Sequence, residues 1–283
     1  MTATTAVAVP SPSADGPLRP APAPLPGASL LPASAAVAVR TVRKFVRTPV
    51  IVVGTVQGAM FLLIFRYVFG GAISAGGLHY VDFLVPGFIT TGVLFSGTAA
   101  AAGVAEDMEG GFLDRLRSLP IPRASVLAGR AVADTALGAW GTAVTAGIGF
   151  LVGFRLHGSA VAGLEAFGLC VLFGFVFSWL FIVIGMVAGN AQAAQGMAMI
   201  VFPLSFVSSA YVPVATMPDW MRAFAEHQPL TVMVDAVRSL ALGPRAHEVL
   251  AHSTGHYVVL SLVWSAGLVA VFALLAVARF RQG

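Results

Sequence analysis

Six long apolar runs constrain this chain more than any other feature. They lie at about Pro49 to Phe69, Phe83 to Ala105, Ser125 to Gly153, Leu164 to Gly189, Ala194 to Val214 and Tyr257 to Ala278. Each is near or above the roughly 20 residues that a helix needs to cross about 30 Å of hydrocarbon. Hydrophobic residues make up 58% of the chain and charged ones only 10%, far below the charged share of a soluble domain. The expected fold is therefore an all-α membrane protein with six transmembrane helices.

Sixteen Lys and Arg face twelve Asp and Glu, and the pI is near 9.8. The basic residues mostly flank the apolar runs, a placement that suits an anionic lipid leaflet better than nucleic acid. Cys170 is the only cysteine, which excludes an internal disulfide and a cysteine-based metal cluster. Inside an apolar run it is expected to be a packed thiol.

Residues 1–33 are rich in Pro, Ala and Ser and contain no apolar core of a signal peptide, so they read as a disordered cytoplasmic tail. Over residues 34–48, Arg40, Arg43, Lys44 and Arg47 recur on one helical face and Ala38, Val42 and Phe45 on another. That spacing predicts an amphipathic interfacial helix with a basic side. Residues 49–283 form the transmembrane domain. Lys and Arg of short loops remain preferentially in the cytoplasm. With the N-terminus inside, Arg115, Arg117, Arg123, Arg279 and Arg281 also fall inside, which predicts a multi-pass plasma-membrane protein with both termini cytoplasmic.

Two further patterns concern packing. GxxxG spacings at Gly54 and Gly58, Gly149 and Gly153, and Gly185 and Gly189 predict close helix approaches in lipid. Between the fifth and sixth runs, Thr216 is expected to cap a short helix that begins near Pro218, and a second helix from about Thr231 to Leu242 ends at Gly243. Separated by Pro229, the pair reads as short amphipathic re-entrant helices on the extracellular side.

Charge concentrates between the second and third runs. Glu106, Asp107 and Glu109 come first, Gly110 and Gly111 permit a sharp turn, and a short helix from Phe112 to about Leu119 carries Asp114, Arg115 and Arg117. Pro120 and Pro122 stop that helix. Oxygen ligands from three acids would suit Mg or Ca, but nothing in their spacing makes them converge, so no metal is assigned. Two readings of the loop remain open: a docking element for another subunit, or a solvated loop that satisfies the orientation rule.

The run Glu106, Glu109, Gly110, Gly111, Asp114, Arg115, Leu116, Pro120, Arg123, Gly129, Arg130 resembles the signature of ABC-2 type transporter permeases, most closely the daunorubicin-resistance-type drug exporters. Gln228, Pro229, Leu230, Thr231, Asp235, Arg238, Leu240 and Gly243 resemble the same family's stretch before its last span. The resemblance implies a membrane subunit that dimerises, with a second copy or a homologue, and binds cytoplasmic ABC ATPase subunits. It further implies that Glu106, Asp107, Glu109, Gly110, Gly111, Asp114, Arg115 and Arg117 form the ATPase-docking, or coupling, element. Arg43, Lys44 and Phe45 would lie in a companion helix.

The chain has no GxxxxGK[ST] phosphate loop, so ATP and Mg are expected on the partner ATPase, and no cofactor on this chain. Polar residues in or near the runs, Gln57, Asp134, Asn190, Gln192 and Gln195, are candidates for a substrate path, since each needs a partner or water in a membrane. Asp134 has a structural alternative, a pair with Arg130 one turn earlier. The cargo suggested is a hydrophobic or amphipathic small molecule such as a drug or antibiotic. Alternatives are a lipid or lipid-linked glycan, or an ion-gradient-driven carrier that uses Asp134. An intramembrane enzyme is disfavoured: His252 and His256 have i, i+4 spacing but no Glu between them to complete an HExxH site.

Overall fold

A computed structural model describes residues 30–47, 50–73, 77–117 and 123–282. Its regular structure is entirely helical among these residues. Of the tail expected over residues 1–33, residues 1–29 lie outside the described residues, as does the stop expected at Pro120 and Pro122, whereas Leu30 to Ala33 form the first turn of a helix.

Helix α3 (Tyr80–Glu109) is the central element, buried along most of its length. It packs most extensively on α6 (Ala160–Val187), which is apolar on every side and starts at Ser159, whose hydroxyl accepts the Ala162 N–H at 3.1 Å. With α11 (Thr254–Gln282), these are three helices long and apolar enough to cross a membrane. Helix α5 (Arg123–Leu151) is as long but carries Arg130 and Asp134 within it. Helices α3 and α11 overrun their apolar runs at both ends, because hydropathy marks only the part in lipid while a helix extends into polar ends such as Glu106–Glu109; α5 and α6 begin earlier than their runs and end two residues short of them.

The first helix, α1 (Leu30–Val46), lies against α5. Ala33, Val37 and Thr41 are its buried side, whereas Leu31, Val39 and Val46 are exposed. The two backbones touch at Gly129, where a Cβ would fall 2.4 Å from the Ser34 carbonyl oxygen. Helix α2 (Val50–Ile64), prolonged by a π-helical turn over Phe65–Phe69, leaves Val53, Val56 and Met60 exposed.

The fifth apolar run is not the continuous helix expected over Ala194 to Val214. It forms α7 (Ala191–Ala198) and α8 (Val201–Phe206), separated by a turn at Met199 and Ile200. Pro203 accounts for the break: it lacks an N–H, and its ring opposes the carbonyl of Met199 four residues back. Beyond Phe206 the chain leaves the helix, and its Ser209 carbonyl is bound by Arg238 instead.

The next two elements also differ from expectation. Thr216 does not cap a helix: it ends a 3-10 turn, Val214–Thr216, its hydroxyl donating to the Pro213 carbonyl at 2.8 Å. Helix α9 (Asp219–His227) starts after Pro218 without a side-chain cap. Helix α10 (Pro229–Leu242) begins with proline at its first turn and ends at Gly243, as expected, but it has no solvent or lipid face, since every residue from Leu230 to Leu242 is buried. It packs against α3, α6 and α11.

The core has two parts. One follows α3, α6 and α10. The other sits at the end of the bundle bearing the charged loop, where Val104, Leu113, Val126, Leu127, Ile182 and Phe280 meet. The two ends of the described chain, α1 and the last turns of α11, are therefore at that same end of the molecule.

Candidate functional site

The charged loop is short because its turn is tight. Gly110 closes α3 by donating its N–H to the Glu106 carbonyl at 2.9 Å, and Gly111 has φ +63°, a conformation that other residues rarely adopt. The chain re-enters a helix at once as α4 (Phe112–Arg117). Leu113 is buried, Phe112 and Leu116 are half-buried, and Arg115 is exposed. The side chains of Asp114 and Arg117 lie outside the described residues.

Three acids at the end of α3 reach three different elements. Glu106 accepts a hydrogen bond from Lys44 of α1 at 2.9 Å. Glu109, exposed, receives the Ala191 N–H at the start of α7 at 3.4 Å. Asp107 is buried, and Arg40 of α1 and Arg130 of α5 each reach it at 3.1 Å, with Lys44 at 3.6 Å. Arg130 itself is 6% exposed, and it also binds Asp134 at 2.9 Å and the Ala100 carbonyl at 3.0 Å. The guanidinium of Arg40 lies over the Phe112 ring, 3.5 Å from its centroid, so the same arginine touches α4.

Glu106, Asp107, Arg40, Lys44, Arg130 and Asp134 thus form one network across α1, α3 and α5, resting on α4. The sequence placed Glu106, Asp107 and Lys44 in it, but their partners Arg40 and Arg130 were not among the candidate site residues. A signal was present in the i, i+4 pairs Arg40 with Lys44 and Arg130 with Asp134, which show shared faces within a helix but not which helices face each other. Of the remaining candidates, Arg43 is exposed and Phe45 half-buried.

The proposed path residues are scattered. Gln57 is exposed on α2, and Gln192 and Gln195 are exposed on α7. Asn190 caps α7, its side chain accepting the Ala193 N–H at 2.7 Å. Asp134 makes the expected pair with Arg130. His252 and His256 have ring centroids 4.4 Å apart and are exposed, but no group of three or more His, Cys, Asp or Glu converges among the described residues.

A second polar centre went unread. Arg238, which falls in the amphipathic helix expected on the extracellular side, is fully buried in α10. It pairs with Asp235 at 2.7 Å, donates to the carbonyls of Phe83 and Ser209 at 3.1 and 2.7 Å, and lies 3.8 Å from the centroid of the Phe83 ring. Ser209 completes the cluster by donating to Asp235 at 2.7 Å.

A helical bundle with apolar helices of spanning length and charge gathered at one end defines a multi-pass membrane protein, and the comparisons narrow the class. The family model for the ABC-2 type transporter matches residues 33–242, most of the chain, and the protein belongs to that family. It is 34% identical over 226 residues to the daunorubicin resistance ABC transporter permease protein DrrB1 of Streptomyces coeruleorubidus, covering 79% of this chain and 76% of that protein. It is 26% identical over 249 residues to the probable doxorubicin resistance ABC transporter permease protein DrrC of Mycobacterium tuberculosis, covering 86% of each. The protein is thus an ABC transporter permease.

Proposed function

We propose that this chain is the membrane subunit of an exporter for a hydrophobic or amphipathic small molecule of the drug or antibiotic class, driven by a separate cytoplasmic ATPase. The observation that carries this reading is the charged junction. A rigid amphipathic helix, α4, is set by a two-glycine turn at the end of the bundle where α1 and the last turns of α11 also lie. Basic residues gather at that end, which supports a cytoplasmic location for it, with both termini there and six crossings in all as the reading.

The chain holds no phosphate loop, so ATP and Mg belong to the partner. The partner's contact is α4 with exposed Arg115 and the rim formed by Glu106, Glu109, Gly110 and Gly111. Arg43 and Phe45 of α1 flank it. A two-fold arrangement, with a second copy or a homologue, supplies the second half of the path. The names of the relatives support a drug-like cargo, and exposed Gln57, Gln192 and Gln195 are polar groups that a water-filled path between two subunits would accommodate.

The test is purification of the tagged permease from its native membrane in mild detergent, with identification of copurifying chains and transport assays in inverted vesicles. A stoichiometric partner with a phosphate loop and ATP-dependent accumulation of an anthracycline-like compound are expected. Accumulation of a labelled lipid or lipid-linked glycan, with no response to drug-like compounds, would overturn the cargo assignment. Arg115→Glu is expected to lower the copurified ATPase about tenfold without reducing the amount of permease in the membrane, since central charged contacts are among the costliest to reverse at an interface. An unchanged ratio of the two chains would remove Arg115 from the contact.

A further inference from the structure

We propose that Arg40, Asp107 and Arg130 form an ionic clasp that makes α1, the end of α3 and α5 one rigid unit with α4, so that displacement of α4 reaches both long helices together. The clasp rests on the coupling role proposed above and assigns it positioning residues. These do not touch the ATPase.

If the three acids after Val104 served only to contact another subunit, they would project outward. Asp107 instead is 7% exposed and is surrounded by the guanidinium groups of Arg40 and Arg130 and the ammonium of Lys44. Glu109 meets the start of α7 and Glu106 meets Lys44, so each acid ties the end of α3 to a neighbour. Taking such charges out of water costs more than one pair returns, and an apolar cluster of similar volume would often be as stable. What the ionic arrangement adds is a fixed geometry. Arg130 is a bridge, with one nitrogen on Asp107, one on Asp134 and one on the Ala100 carbonyl.

Arg40 is the link to α4. Its planar group spans the two carboxylate oxygens of Asp107, at 3.1 and 3.4 Å, while its face covers the Phe112 ring. A push on α4 therefore meets Arg40, and through Asp107 and Arg130 it meets α3 and α5. Backbone contact at Gly129 and Ser34 keeps α1 from sliding along α5. Without the clasp, α4 still holds Leu113 in the core, but of the ion pairs described between α1 and the end of α3 only the exposed Lys44–Glu106 pair is left, and α1 parts from α3 more readily.

Two measurements separate the clasp from the function it serves. In the permease alone, carrying Cys170→Ala and Val37→Cys, the thiol at position 37 faces the small cavity beside Asp107 and Arg130. In inverted vesicles it is expected to react slowly with a membrane-impermeant maleimide, and about tenfold faster when Asp107→Asn is added, as α1 parts from α3. Equal protection in the two would overturn the clasp whether or not an ATPase binds.

In the complex with its ATPase, Arg40→Met is expected to leave the copurified ATPase and its hydrolysis rate within about twofold while transport per ATP falls about tenfold. Arg40→Lys, which keeps the charge but not the planar span, is expected to restore part of that loss. A normal ratio of transport to hydrolysis in Arg40→Met would refute the positioning role. Absence of any ATPase from the wild-type preparation would instead refute the proposed function and leave the thiol measurement to decide the clasp.

Discussion

Arg238→Met is expected to destabilise the protein by about 3–5 kcal/mol, the range for removing one partner of a buried ion pair. The size follows from what remains. Asp235, itself 6% exposed, keeps only Ser209 as a hydrogen-bond donor among the described residues once the guanidinium is gone. The carbonyls of Phe83 and Ser209 also lose their Arg238 donor, at roughly 1 kcal/mol each. Asp235→Leu in the same chain removes the uncompensated carboxylate but does not restore the lost bonds to the carbonyls, so the double variant is expected to recover about half of the loss. Denaturant or thermal unfolding in a mild detergent measures all three chains. A single variant as stable as the wild type would show that the pair is not enclosed as described, and full recovery in the double variant would show that the carbonyl bonds contribute nothing.

That cluster also shows what could be read from the sequence and what could not. Apolar runs located α3, α5, α6 and α11, because a lipid span requires continuous hydrophobicity and periodicity need not be resolved. The Gly110 and Gly111 turn, the start of α4 and the end of α10 at Gly243 were legible too, since the backbone chemistry is local. The fifth run misled because its hydropathy is continuous through Met199 and Ile200, whereas the break comes from one proline, Pro203, acting four residues back.

Arg238 was expected on an amphipathic extracellular helix because charge near the last span is normally outside the core. Its i, i+3 spacing from Asp235 was visible, but the carbonyls that it binds lie about thirty and more than a hundred residues away in the chain. The same limit applied at the charged loop. Composition marked Glu106, Asp107 and Glu109 as a group, and only the packing of α1, α5 and α7 shows that Glu106 and Asp107 meet α1, Asp107 also meets α5, and Glu109 meets α7. Long-range pairing is what one sequence withholds.

Gly87→Ala carries the other large effect, and its sign is the informative part. A Cβ at Gly87 would lie 2.1 Å from the Ala210 carbonyl oxygen and 2.9 Å from the Ala210 Cα, both backbone atoms. The segment cannot retreat easily, because Arg238 binds the Ser209 carbonyl at 2.7 Å and the Ser208 hydroxyl accepts the Ala210 N–H at 3.2 Å. Overpacking of this kind costs about 3 kcal/mol at the upper part of its usual range, whereas alanine gains about 1 kcal/mol over glycine inside a helix. The net expectation is a loss of about 2 kcal/mol. Gly54→Ala, where nothing lies within 4 Å, keeps the helix gain alone and is expected to stabilise by up to about 1 kcal/mol. The same substitution thus has opposite signs at two helical glycines, and unfolding midpoints of the two variants decide it. Because Gly87 and Arg238 bear on the same backbone at Ser209 and Ala210, the two losses are not expected to add: once Arg238→Met has freed that segment, Gly87→Ala displaces it at lower cost. A strictly additive double variant would mean that the segment is held by something other than Arg238.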